Sequence, residues 1–286
     1  MTPGMAPLGT DAPRRLGPYR LYGVIGRGTS GPVHLGRGAA RRGGRKRAAA
    51  VRALRPELLR DRQVRARLRH DLETIRTRVD DPHPARPLDW ELDSEQPWIA
   101  SEFVPGPSLA HLLDRYGPPP EDVVRALGAA LARALAALHA AGVVHGCLRP
   151  SSVLVTDDRP RLVDCALTLD PLAEDRGQGA DDVFDLGVLL ALAASGHHPF
   201  AGGVLPSGRE GPDLTGVPTA LHPPLLACLH KDPCHRPAPG ALAACLDPEG
   251  TASRPAGEWL PEVWLHTVGV RAAEARELLG WRLFGR

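Results

Sequence analysis

The predicted strands of this chain nearly all precede its predicted helices, and this order constrains the fold more than any other feature. Short runs of β-branched or small apolar residues indicate strands, and a Gly-rich turn separates the first two. The runs are residues 19–24, 33–36, 48–54 and 97–104. Segregated strands and helices are typical of the α+β class rather than of alternating βαβ units.

The helices are predicted from apolar spacing and from Pro and Gly at their ends. A helical stretch opens with Pro at residue 56 and runs to about residue 78. The strongest periodicity follows Pro120 and ends at Gly142. Its apolar face consists of Val124, Leu127, Leu131, Leu135 and Leu138. Further helices are predicted over about residues 182–194 and 261–279.

The length and charge of the chain limit the classes of protein to which it could belong. The length of 286 residues suits a two-lobed unit better than a single core. Hydrophobic residues make up 43% and charged residues 24%, which excludes wholesale disorder. The Arg-dense stretches at residues 41–47 and 52–69 could form a nucleic-acid footprint. Because those arginines alternate with apolar residues of a predicted strand and helix, we predict no nucleic-acid partner.

Cysteine usage and hydropathy bear on location. The five cysteines form no CxxC pair, and the first residues lack the apolar segment of a signal peptide. The longest apolar stretch, residues 129–144, contains Arg133 and His139 and is too short to span a bilayer. We therefore expect no membrane segment and a cytoplasmic location.

A Gly-rich motif lies between the first two strands. Residues 26–33 read G-R-G-T-S-G-P-V and fit G-x-G-x-x-G-x-V, a loop whose backbone N–H groups approach phosphates. A dinucleotide-binding fold would require a helix after the glycines and an acidic residue about 20 positions on. Here Lys46 and Arg47 lie at that distance and a strand follows. The motif favours a strand–loop–strand hairpin over the dinucleotide fold.

Three further motifs follow in order. Residues 144–155, V-H-G-C-L-R-P-S-S-V-L-V, resemble the catalytic loop V-H-R-D-L-K-P-S-N-V-L-L of protein kinases. Residues 161–166, R-L-V-D-C-A, resemble the strand into D-F-G. Residues 182–190 and 231–237 resemble a helix of the kinase large lobe and the closing motif K-D-P-x-x-R-P. Residues 17–246 are thus similar to bacterial, eukaryotic-like Ser/Thr protein kinases.

The resemblance implies a bilobal fold with a small β-rich lobe, a hinge near residues 102–104 and a larger helical lobe. The implied boundaries are residues 1–16 for a disordered lead, 17–105 for the small lobe, 106–247 for the large lobe, 248–258 for a linker and 259–286 for a C-terminal helix. That helix either packs on the large lobe or presents a surface to a partner, and packing is favoured because loosely spaced aromatic residues usually bury.

The resemblance also implies a nucleotide site that could hold ATP. The residues matching that site are Gly26, Gly28, Gly31, Val33, Ala50, Arg52, Ser101, Glu102, Val104 and Leu154. Arg52 stands where the family has its ATP-contacting Lys, and Asp71 stands where a helical Glu pairs with that Lys. An Arg52–Asp71 pair could still form, but with an altered reach, because a guanidinium is wider than an ammonium group and Asp is one methylene shorter than Glu.

The catalytic positions of the resemblance are largely replaced. Cys147 stands at the catalytic Asp, Arg149 at a phosphate-contacting Lys, and Ser152 at a metal-binding Asn. Gly146 replaces the Arg that docks an activation loop. Asp164 is the one carboxylate left to bind metal, so Mg²⁺ is expected to bind weakly if at all.

The segment between Asp164 and Asp182 is short and contains no A-P-E. In the family the Glu of that motif pairs with the Arg equivalent to Arg236. We expect Arg236 to be buried and to pair with a different carboxylate. The candidates are Glu174, Asp175 and Asp181.

The sequence supports two hypotheses about function. The first is a pseudokinase that could bind ATP and act through a protein partner, because the scaffold motifs are kept while the reaction centre is not. The alternative is a low-activity Ser/Thr protein kinase in which Asp164 alone handles the metal and Arg52 replaces the Lys. The sequence names neither partner nor substrate.

Overall fold

The structure is a computed structural model that describes residues 6–9, 12–28, 30–39, 46–167, 179–200 and 211–281. These residues form two compact units. The first contains the described residues up to Asp80, Ala85–Val104, and Ala166 with Leu167. The second contains Asp81–Pro84, Pro105–Cys165 and the described residues from Gly179 onward.

The first unit is built on a six-stranded antiparallel sheet, in the order β1-β2-β3-β4-β6-β5. The strands are β1 (Arg15–Leu16), β2 (Tyr19–Gly28), β3 (Gly31–Gly38), β4 (Arg47–Ala53), β5 (Pro87–Glu91) and β6 (Trp98–Glu102). Successive side chains point to opposite faces of a strand. Accordingly Trp98 and Ala100 join a cluster with Tyr19, whereas Ile99 joins a cluster with Leu72.

Helix α1 (Arg62–Arg78) covers the second face of this sheet. Its buried residues include Val64, Leu68 and Leu72, which recur at helical spacing. The helix predicted to open at residue 56 is interrupted, because a 3₁₀ turn over Pro56–Leu59 comes first. Asp61 then adopts an extended backbone and caps α1 by accepting a hydrogen bond from the Gln63 N–H at 2.7 Å.

The second unit is mainly helical. Its elements are α2 (Leu109–Tyr116), α3 (Glu121–Ala140), β7 (Val153–Val155), β8 (Pro160–Leu162), α4 (Gly179–Ser195), α5 (His222–Cys228), α6 (Pro239–Leu246) and α7 (Glu262–Trp281). Helix α3 packs against α4 and α6. By length and composition alone α3 could cross a membrane, but 67% of its most apolar window is buried inside the protein. It is therefore the core helix of the unit.

The described residues among 1–16 pair with the sheet and do not form a disordered N-terminal segment. Ala6 exchanges two backbone hydrogen bonds with Val24, at 2.9 and 2.8 Å. Leu16 lies in β1, pairs with Tyr19 and is only 4% exposed. The disorder predicted for residues 1–16 is thus wrong for residues 12–16, because an apolar side chain completes one face of the sheet.

The predicted linker at residues 248–258 is folded onto the second unit. It forms two 3₁₀ turns, Thr251–Ser253 and Ala256–Glu258, and Ala256 is fully buried. The Asp247 carboxylate caps the first turn by accepting from the Thr251 and Ala252 N–H groups at 2.7 and 3.0 Å. The Pro- and Gly-rich composition of residues 248–258 indicated a linker, but these hydrogen bonds hold the segment in one conformation.

The C-terminal helix packs on the same unit, as the favoured prediction had it. Helix α7 begins at Glu262 rather than at residue 259, and Trp264 is 1% exposed. The Thr267 hydroxyl lies 2.6 Å from the Tyr116 hydroxyl, which ties α7 to α2. Val263 and Val270 remain exposed on the helix.

Candidate active site

The Gly-rich loop is a tight hairpin between β2 and β3. Gly28 pairs with Gly31, and Gly26 with Val33, so the predicted strand–loop–strand arrangement is present. Gly31 has a φ of 135°, and a Cβ at this position would lie 1.9 Å from the Ala53 carbonyl oxygen. No other residue fits this backbone.

The predicted adenine-site residues of the first unit lie on neighbouring strands. Val33 faces Arg52 across β3 and β4, and Ala50 faces Ser101 across β4 and β6. Glu102 is in register with Ala49 at the end of β6, and Val104 follows it and is 6% exposed. Leu154 lies on β7 of the second unit.

Arg52 is turned towards the Gly-rich loop. Its side chain donates to the Ser30 hydroxyl at 3.0 Å and to the Gly31 carbonyl oxygen at 3.2 Å, and the residue is 7% exposed. Burial raises the pKa of Asp71, and the charges that act on that carboxyl are His70 and Arg67. The ion pairs of the described residues do not include one between Arg52 and Asp71.

In the second unit, Asp182 of α4 holds the loop that contains Cys147. The Asp182 carboxylate accepts hydrogen bonds from the His145 and Gly146 N–H groups at 2.8 and 2.7 Å. It also lies 2.7 Å from the His139 Nε2 atom. Burial alone would raise the pKa of Asp182, but these hydrogen bonds and the neighbouring histidines hold it below the ordinary value.

His145 joins this loop to the segment before Asp164. Burial lowers the pKa of His145, so the imidazole is neutral at pH 7. Its Nε2 atom lies 3.1 Å from the Val163 carbonyl oxygen, and its Nδ1 atom accepts from the Cys147 N–H at 3.4 Å. The proton therefore sits on Nε2. His145 and Asp182 thus brace the loop, as the resemblance implied.

The Cys147 thiol is a poor general base. Burial raises the pKa of its thiol, the carboxylates of Asp185 and Asp164 raise it further, and Arg149 opposes them. Its thiol is therefore protonated at pH 7. A protonated thiol is a weak hydrogen-bond acceptor and cannot take up a proton from a substrate hydroxyl.

The hydroxyl of Ser152 is used within the loop. It donates to the Arg149 carbonyl oxygen at 2.8 Å and accepts from the Arg149 N–H at 3.0 Å, and Ser152 is 1% exposed. The Arg149 side chain is exposed and lines a cavity of about 370 Å³ together with Asp114, Ser151 and Leu192. Arg149 and Ser152 are therefore neighbours in the structure. The Ser152 hydroxyl caps a turn, however, and is not available as a metal ligand.

Asp164 follows β8 and has a left-handed backbone, with a φ of 66°. Ala166, two residues on, has a φ of 62°. This conformation is uncommon for residues with a side chain and concentrates at functional sites. The negative charge of Asp164 acts on both Cys147 and His145, so the structure groups the predicted metal ligand with the catalytic-loop residues of the second unit.

Arg236 pairs with one of the three predicted carboxylates. Its guanidinium donates to the Asp181 carboxylate and to the Ala180 carbonyl oxygen, both at 2.9 Å, and the side chain is 8% exposed. It also lies over the Phe184 ring, 4.8 Å from the centroid. The prediction of a buried, re-paired Arg236 is confirmed, while Glu174 and Asp175 lie outside the described residues.

Asp185 is a half-buried acidic residue of α4 that the motif comparison passed over. It stands at the Ser of the family pattern D-V-x-S-L-G-V-L-L. Burial raises its pKa to about 7, the charges of Asp182 and Asp181 add to this, and a hydrogen bond with the Leu148 backbone opposes it. An acidic residue in a motif position that is otherwise neutral was the signal available in the sequence.

We expect Asp185→Asn to stabilise the protein at high pH. Because the folded pKa lies above the unfolded value, stability from this group is complete below about pH 4 and is lost as pH rises through about 7. The gain in unfolding free energy should be larger at pH 8 than at pH 5 by about 2 kcal/mol. Urea denaturation at both pH values measures it, and an equal gain at both would contradict the burial argument.

Comparisons with known proteins agree with this geometry. The protein kinase domain family matches residues 19–169. Serine/threonine-protein kinase AfsK of Streptomyces coelicolor is 37% identical over 87% of this chain and 35% of its own length. Probable serine/threonine-protein kinase PkwA of Thermomonospora curvata is 33% identical over 89% of this chain and 37% of its own length. The chain thus spans about a third of these relatives.

A solved structure shares the fold. The crystal structure of the Mycobacterium tuberculosis PknI kinase domain superposes with a TM-score of 0.68 at 23% identity, covering 82% of this chain and 96% of the PknI chain. The strand-rich first unit and the helical second unit therefore correspond to the small and large lobes of the kinase fold. With a family match over more than half of its residues, the chain belongs to the protein kinase domain family.

Proposed function

We propose that this chain is a protein kinase domain with impaired phosphate transfer, a pseudokinase that acts by binding a protein partner. One observation carries the proposal: Cys147, whose thiol has a raised pKa, stands at the position of the catalytic base. Losing a positioned base typically lowers a rate by about 10² to 10⁴. The bracing by His145 and Asp182 is kept, which preserves the scaffold on which a partner would dock.

The protein kinase family uses ATP and Mg²⁺, and the residues of this chain do not fit a Mg²⁺-bound triphosphate. Hard divalent cations take several oxygen ligands, preferably carboxylates. Only Asp164 supplies one from the catalytic set, and the Ser152 hydroxyl is engaged by Arg149. Arg52 is likewise engaged by the loop that would cover the phosphates. Any ATP binding is therefore proposed to be weak and nearly independent of Mg²⁺.

A second candidate is a low-activity Ser/Thr protein kinase. The names of the relatives favour it, because AfsK and PkwA are both called serine/threonine-protein kinases. In that case Asp164 would hold the metal alone, and Arg52 would have to leave the Gly-rich loop to reach a phosphate.

We also propose a cytoplasmic location. All five cysteines are free thiols, and Cys165 and Cys228 are buried in the second unit. Free thiols are typical of reducing compartments.

A phosphate-transfer assay separates the two candidates. Wild-type protein is incubated with radiolabelled ATP, Mg²⁺ or Mn²⁺, and a generic protein substrate, beside an active kinase of the family. The pseudokinase proposal expects incorporation at background in both autophosphorylation and substrate lanes. Incorporation that an Asp164→Asn variant abolishes would establish the low-activity kinase instead.

A further inference from the structure

Three arginines lie side by side on one face of the sheet in the first unit. In the strand register, Arg15 of β1 is directly opposite Arg20 of β2, and Arg20 is directly opposite Arg37 of β3. Residues paired in this way across antiparallel strands point to the same face, with Cβ atoms about 4.5 to 5.5 Å apart. Arg15 and Arg20 are exposed and Arg37 is half-buried. We call these three residues the arginine row.

The described strands place no carboxylate on the same face beside the arginine row. Strands β1 to β4 contain neither Asp nor Glu. The acidic residues of β5 and β6 are in register with members of the cluster around Tyr19 and so belong to the opposite face: Asp89 with Ala100, Glu91 with Trp98, and Glu102 with Ala49. Accordingly, the ion pairs within the described ranges include none with an arginine of the row.

The arginine row opposes the stability of the free protein. Like charges directly opposite each other on neighbouring strands are destabilising, and Arg20 has one such neighbour on each side. The Arg20 guanidinium lies 5.8 Å from the centroid of the Tyr22 ring, two residues along the same strand. Helix α1 packs against β5, at the edge of the sheet opposite to β1. A local rule broken in a folded protein is expected at a functional site, and here it leaves an accessible cationic surface.

The length of the arginine row indicates the kind of segment that fits it. Neighbouring strands lie about 4.8 Å apart, so the row is about 10 Å long. Helical residues i, i+4 and i+7 share one face, and at about 1.5 Å per residue they also span about 10 Å. Three same-face residues of an extended strand, i, i+2 and i+4, would span about 13 Å. A helix therefore matches the row better than an extended segment does.

We propose that the arginine row docks an acidic helix of a protein partner, with carboxylates at i, i+4 and i+7 facing Arg15, Arg20 and Arg37. The inference rests on the proposed function in taking the ligand to be a protein partner, and it adds the chemistry of that partner. It uses only strands β1 to β3 of the first unit and none of the catalytic-loop residues.

Three peptides and two protein variants test this docking. The probe is a fluorescent, Ala-rich helical peptide with Glu at i, i+4 and i+7. A second peptide has the same composition with its three Glu residues spread around the helix, and a third has Gln in their place. Arg20→Gln removes the central charge of the row. Arg60→Gln is the matched control, because it removes the same charge from an exposed arginine just before α1.

The measurements are fluorescence anisotropy of each peptide and the Tm of each free protein, at about 20 mM and about 300 mM salt, where charges are weakly and strongly screened. At low salt we expect wild type to bind the one-face peptide about tenfold more tightly than the other two. Arg20→Gln should weaken this binding about fivefold and Arg60→Gln by less than about twofold. Arg20→Gln should also raise the Tm at low salt, and this gain should shrink at high salt.

Equal binding of the one-face and spread peptides, or equal losses in the two variants, would reveal an effect of net charge alone and overturn the docking. Binding of a single-stranded oligonucleotide more tightly than any peptide, lost in Arg20→Gln, would overturn the assignment to a protein partner. The phosphate-transfer assay reports on the catalytic loop only. Phosphate transfer by wild type would therefore remove the pseudokinase proposal and leave the docking, whereas failure of the peptides would do the reverse.

Discussion

Asp182→Asn is expected to lower the free energy of unfolding by about 3 to 5 kcal/mol, a loss typical of breaking a buried charged contact. The Asp182 side chain is 1% exposed and accepts from the His145 and Gly146 N–H groups through different oxygens. An asparagine has one acceptor oxygen, so its NH₂ group would face a backbone donor. Urea denaturation at pH 7 measures the loss.

Asp122→Asn is the matched control, because Asp122 is exposed in the first turn of α3. It should cost less than about 1 kcal/mol. The pKa of Asp182 is depressed in the folded protein, so the difference between the two variants should be complete at pH 7. It should shrink as pH falls below about 4, where the carboxylate of the unfolded chain becomes protonated, and vanish only below the lower pKa of the folded state. Equal losses in both variants would contradict the bracing role of Asp182.

Trp264→Ala is expected to lower the free energy of unfolding by about 3 to 5 kcal/mol, because it removes a fully buried aromatic side chain. Trp264 lies on α7, well beyond residues 19–169 where the family match ends. The prediction therefore tests whether the C-terminal helix is part of the folded unit.

Val263→Ala is the control for Trp264, since Val263 is the adjacent residue of α7 and 51% exposed. It should change stability by less than about 0.5 kcal/mol. If Trp264→Ala were as mild as Val263→Ala, α7 would be a peripheral helix available to a partner, which is the alternative that its sequence left open.

The parts of the fold in which a sequence motif determines the local structure could be predicted from the sequence. The Gly-rich hairpin and the brace formed by His145 and Asp182 follow from residue identity at fixed spacing, and the structure contains both. Arg236 could also be predicted to pair with a new carboxylate, because a buried guanidinium requires one.

Other features depend on contacts that spacing does not reveal. Helix α1 begins where Asp61 caps it, whereas the Pro at residue 56 indicated an earlier start. The segment after Asp247 is ordered by hydrogen bonds to that carboxylate, whereas its composition indicates a linker. The hydrogen bonds of Arg52 to the loop required the register between β3 and β4, so the sequence identified the replaced lysine but not its new role.

The central claim is that the reaction centre has lost several members that act as a unit, and Cys147→Asp tests it most directly. The measurement is the rate of γ-phosphate transfer from radiolabelled ATP to protein by wild type and by Cys147→Asp, beside an active kinase of the family. Because the Arg52 side chain and the Ser152 hydroxyl stay engaged as they are, and Arg149 still replaces a lysine, restoring one carboxylate should recover little. We predict that both proteins remain at background, about 10³-fold or more below the active kinase. Robust turnover by Cys147→Asp would contradict this account and identify the chain as a kinase with one disabling substitution.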